Sequence, residues 1–173
     1  MKRPLLIILA ATVGLLASGC AKRPSPGPGE DTGIASLTGA WRGKVQFTSG
    51  AFAAVKDLEF MYVFNVGGTM TESSNYDFAS PPSPPAYGIW RKVGPGQYEA
   101  KYSCFLAKAP AGMEDLAKSG WPPGGYADLV EKITITEDGK SFRSTIKFDA
   151  FNQTGKPTES GSAGGALATR VSF

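Results

Sequence analysis

Any chemistry in this chain must be done without imidazole, because none of its 173 residues is histidine. That excludes a Ser-His-Asp triad, a His-ligated zinc or haem, and an imidazole proton shuttle. The two cysteines, Cys20 and Cys104, supply neither a disulfide framework nor a Cys-rich metal site, and no cofactor is implied. Carboxyl and phenol groups remain. Glu131 stands in two-residue register with Ala127, Leu129, Ile133 and Ile135. Pointing inward, its carboxyl would need a partner, a proton or a ligand, since a lone buried charge is costly. It could then anchor a polar head group, or act as an acid or base with tyrosine and bound water. The plainer alternatives are a bulge that turns it outward and pairing with an Arg or Lys. Tyr62, Tyr98 and Tyr102 fall in register with Phe60 and Phe64. Their hydroxyls would give an apolar cavity a few polar points, or simply bond to backbone within an ordinary core. Cys104 has nothing basic near it in sequence to favour a thiolate, and reads as a small buried hydrophobe. No residue is assigned a catalytic role.

Strands must position these groups, because period-two patterns dominate from residue 39 onward. Trp41, Gly43, Val45 and Phe47 mark a first strand, and Leu58 to Val66 a second. A third runs from Thr69 to Tyr76 and a fourth from Tyr87 to Val93. The fifth carries Tyr98, Ala100, Tyr102, Cys104 and Leu106, and the sixth Ala127 to Ile135. Phe142, Ile146 and Phe148 mark a seventh, and Leu167 to Phe173 an eighth. One helix is expected at Gly112–Ser119, inside a connection. Eight strands joined mostly as hairpins predict an all-β, eight-stranded antiparallel up-and-down barrel, whose closure removes exposed edges.

The connections alternate in length. Tight turns are expected at 67–68, 94–96 and 137–139, and long connections at 48–57, 77–86, 108–125 and 149–160. Successive connections of such a barrel lie at opposite ends, so one end is closed and the other is a mouth, where small-molecule sites are favoured. Phe52, Phe78, Trp121 and Phe151 each fall in one long connection, as an apolar lid, a partner-binding rim or a core cap. The candidate ligand-binding residues are Tyr62, Phe64, Tyr98, Tyr102, Glu131 and Trp121.

Residues 1–19 have the order of a secretory signal: a basic start at Lys2-Arg3, an apolar run from Leu5 to Leu16, then small residues. Leu16-Ala17-Ser18-Gly19-Cys20 resembles a bacterial lipobox. The resemblance implies cleavage before Cys20 and its acylation, with stable anchoring through several acyl chains. With Ala21 rather than Asp following, it implies the outer membrane where the host has one. Residues 20–36, rich in Pro and Gly, read as a flexible tether, leaving 37–173 as the folded domain. The tether enters at the closed end, so the mouth would face away from the membrane. The whole chain carries +3; removing Lys2 and Arg3 from 18 basic residues leaves 16 against 15 acidic, or +1. No nucleic-acid partner is expected of so nearly neutral a domain.

Gly39-Ala40-Trp41 on the first strand resembles the G-x-W of lipocalins. Arg170 stands where those proteins place an arginine over that tryptophan, a cation–π contact that closes one barrel end. Gly68-Thr69-Met70-Thr71-Glu72-Ser73, Gly88-Ile89-Trp90 and Gly94-Pro95-Gly96-Gln97-Tyr98 are similar to bacterial lipocalin-like domains over about 37–173. Fold resemblance carries no ligand with it. Three functions stay open: a membrane-anchored protein binding a small apolar or amphipathic ligand; an envelope structural or interaction protein with a filled barrel, functional loops and a protein partner; and, with least support, a small-barrel isomerase or cyclase.

Overall fold

A computed structural model describes residues 36–79 and 81–173. The segment 1–19, Cys20 and the tether as far as residue 35 lie outside the described residues. Eight strands follow one another: β1 (Gly39–Phe47), β2 (Glu59–Phe64), β3 (Thr69–Ser74), β4 (Ala86–Gly94), β5 (Gln97–Ala107), β6 (Pro123–Ile135), β7 (Ser141–Phe151) and β8 (Pro157–Arg170). Each pairs with its chain neighbour, and β8 pairs antiparallel with β1, so the sheet is a closed up-and-down barrel. A 3₁₀ turn (Ala51–Ala54) follows β1, and one helix, α1 (Met113–Ser119), lies between β5 and β6.

Alternation builds the wall. On β1, Trp41, Val45 and Phe47 are buried while Arg42, Lys44 and Gln46 are exposed. On β6, Ala127, Leu129, Glu131, Ile133 and Ile135 all point inward. At the β2–β3 hairpin, Gly67 and Gly68 have φ of 95° and 88°, a region costly for residues with a Cβ.

The connection expected at 149–160 is only the turn 152–156, because β7 runs on to Phe151 and β8 begins at Pro157. Irregular register at Ala150 accommodates the extension. The long connections at the open end are therefore three: after β1, after β3 and after β5. Residues 157–166 look loop-like by composition, yet they form a wall of small inward side chains: Ser162, Gly164 and Ala166. The absence of side chain at Gly164 makes room for a neighbour, since a Cβ there would sit 2.9 Å from the Phe47 ring.

Candidate functional site

The barrel interior is layered along its axis. At the closed end the Arg170 guanidinium carbon lies 4.1 Å from the Trp41 ring centroid. Its Nε donates to the Gly139 carbonyl at 2.8 Å, and Nη1 and Nη2 donate to the Thr38 and Ser36 carbonyls at 2.7 and 2.5 Å. Trp41 Nε1 donates to the Leu37 carbonyl at 2.8 Å, and its ring meets Phe142 at 5.1 Å. Phe64 and Tyr98 belong to this end, their rings 6.1 and 5.7 Å from Trp90.

The middle layer is built around Glu131, which is fully buried. Tyr102 donates its hydroxyl to Glu131 Oε2 at 2.8 Å, and Tyr62 donates to Oε1 at 3.4 Å. The Ser144 hydroxyl also bonds the carboxyl, while its oxygen accepts the Ala166 N–H at 3.2 Å. Burial pushes the Glu131 carboxyl up to about 7, and the bonds from Ser144, Tyr102 and Tyr62 oppose that rise. Burial, followed by the charge of Glu131, pushes both phenols well above their ordinary value.

Above this layer the barrel opens into a cavity of about 360 Å³. Phe47, Phe52, Phe60, Phe148, Leu58 and Leu129 give it apolar walls, and the Pro81–Pro84 segment lies along its rim. Phe52 is half-buried and packs 5.7 Å from Phe47 and 5.6 Å from Phe148. Glu72, inward on β3 and opposite Tyr62 in the ladder, also lines the cavity. It is only 7% exposed, and its Oε1 has no hydrogen-bond partner among the described residues. Burial, then the charges of Asp77 and Glu131, push this carboxyl well above its ordinary value. Asp77, also on the wall, accepts the Ser74 hydroxyl at 2.8 Å.

None of the six residues expected to hold a ligand lines this cavity. Tyr62, Phe64, Tyr98, Tyr102 and Glu131 are inward but lie beneath it, where bulky rings fill the barrel and bond to one another. Trp121 is half-buried and off the cavity wall. Of the other three loop aromatics, Phe52 alone lines the cavity; Phe78 is 96% exposed, and Phe151 stacks on Tyr126 at 4.9 Å. Cys104 is half-buried and does line the cavity, its thiol pushed up by burial. Glu72 escaped the sequence reading, although extending the two-residue period from Met70 marks it and Ser74 as inward.

Fold and cavity define the class: a closed eight-stranded antiparallel barrel, packed at one end and hollow at the other. A scan against protein-family models, a search of curated proteins and a search of solved structures find no match to this chain.

Proposed function

We propose that this lipocalin-like barrel is a binding protein that holds a small amphipathic molecule at its open end. The observation that carries the reading is the apolar cavity with a buried carboxyl oxygen in its wall that has no partner among the described residues. At about 360 Å³ it falls within the range of roughly 300–1,000 Å³ typical of small-molecule sites. An apolar body would displace water from the phenylalanine walls, and a polar end would satisfy Glu72. The test is native mass spectrometry of the full chain purified without detergent. A small bound mass that disappears on denaturation supports the reading. A clean apo mass, with tryptophan emission unmoved by apolar compounds, counts against it.

The anchoring belongs to the same proposal: acyl chains on Cys20 hold the protein in the cell envelope, at the outer membrane where there is one. The chain enters the barrel at the closed end, where Arg170 holds the Ser36 and Thr38 carbonyls, so the mouth would face away from the lipid. Labelled palmitate should enter the wild-type chain and not Cys20→Ser.

The second reading, an envelope interaction protein, rests on the outer wall. Tyr87, Ile89 and Phe105 are 66%, 64% and 76% exposed. Phe105 begins an aromatic row continued across the ladder by Tyr126 and Phe151. An acid–base role for Glu131 gains no support, because its carboxyl is off the cavity wall and held by hydroxyls.

A further inference from the structure

Among the described residues, the side chains of the cavity wall that carry charge in water at neutral pH are all acidic. Glu72 and Asp77 line it, and among the described residues no Lys or Arg does. The titratable groups in electrostatic reach of Glu72 are Tyr62 on β2, Tyr102 and Cys104 on β5, Glu131 on β6 and Asp77 after β3. Tyr76 joins Asp77 on the cavity wall. None of these is a cation. A ligand carboxylate would therefore meet two carboxyl groups and, among the described residues, no positive partner. A hydroxyl would bond to Glu72 whether or not it is ionised, and only a cation would favour its carboxylate form.

From this arrangement we infer that the ligand's polar end is a protonated amine, paired with Glu72 while its apolar body lies among Phe47, Phe52, Phe60 and Phe148. The inference deepens the proposed binding function and rests on it. Two features favour the cation. A buried carboxylate and ammonium attract strongly when water is excluded and their hydrogen bonds are satisfied. Aromatic faces attract a cation within about 6 Å of a ring centroid, and four phenylalanines line this cavity. Pairing also changes the proton balance. Burial shifts Glu72 toward its protonated form, and an arriving ammonium shifts it back toward the carboxylate, so pairing favours release of protons to solvent.

The test uses n-octylammonium, n-octanol and n-octanoate, three chains of equal length that differ in the charge of the head. Calorimetry on the full chain is run near pH 8, where an alkylamine, like lysine with its pKa of about 10.4, is charged. Octylammonium should bind about tenfold more tightly than octanol, a difference of about 1.4 kcal/mol, and octanoate more weakly than either. In Glu72→Gln the ammonium advantage should fall to about twofold or less, with octanol affinity little changed. Wild-type binding of octylammonium, measured between about pH 6 and pH 8 in two buffers of different ionisation enthalpy, should release protons within that window, and octanol should release none anywhere in it. That measurement needs no variant to fold. Octanoate binding as well as octylammonium, or an ammonium advantage that survives Glu72→Gln, would overturn the amine assignment while leaving a binding cavity. Failure of all three to bind would overturn the cavity reading itself.

Discussion

The two ends of the barrel use the same strand alternation to opposite effect. At the closed end, inward positions carry Trp41, Phe64, Phe142 and Tyr98, and Arg170 binds three backbone carbonyls across the opening. At the open end, inward positions on β8 shrink to Ser162 and Gly164, and Glu72 on β3 lines the cavity with its Oε1 unpartnered among the described residues. Between them lies Glu131, more deeply buried than Glu72 but supplied with three hydroxyl partners. The comparison separates a carboxyl satisfied by hydroxyls of the fold from one whose Oε1 has no partner among the described residues.

The comparison breaks most visibly in stability. Trp41→Ala should cost about 4 kcal/mol, as large-to-small changes of buried aromatics do, whereas Phe52→Ala, at the half-buried rim, should cost about 1 kcal/mol. Urea unfolding measures both, and equal losses would erase the distinction between the ends.

The two carboxyls can be told apart by pH. The Glu131 value, about 7 in the folded chain, is raised above an ordinary 4.5. Below 4.5 both states are protonated and no stability is lost. From 4.5 to 7 the unfolded carboxyl ionises while the buried one keeps its proton, so stability falls, by about 3 kcal/mol in all, and then levels off. Glu131→Gln should remove most of that fall in denaturation followed against pH. Glu72 is raised in the same direction and should supply the residual slope.

Smaller effects sharpen the contrast. Arg170→Lys keeps the charge but loses the planar fork and the stacking on Trp41, and should lower stability by about 2 kcal/mol in the same unfolding assay. Glu72→Gln should raise stability by about 1 kcal/mol at neutral pH, because it removes an unmatched acid. Thermal unfolding would detect either change. A loss in Glu72→Gln would mean that the fold, rather than a ligand, depends on this carboxyl.

Most of the wall was legible from alternation, because a residue's face depends only on its parity along the strand. Glu131 and the three tyrosines are inward for that reason. Height along the axis was not legible, since parity says nothing about which layer a side chain reaches. Tyr62 and Tyr102 therefore read as cavity residues although they sit beneath the cavity. The start of β8 was hidden by its composition: small and polar residues have weak strand propensity, and the ladder to β7 overrides it. Glu72 was missed because β3 has few apolar residues from which to read a phase; Met70 is its one large buried anchor.

The seam between β1 and β8 has a consequence in time. Val45 faces Ala166 and Trp41 faces Arg170, so the ring depends on pairings between residues far apart in the chain. Non-local pairings of this kind slow folding, because the loop entropy is lost before the contacts form. Until β8 docks, β1 and β7 are open edges able to recruit strands from other molecules. Emergence of the chain from the ribosome, N-terminus first, therefore leaves the first strand among the last to be secured.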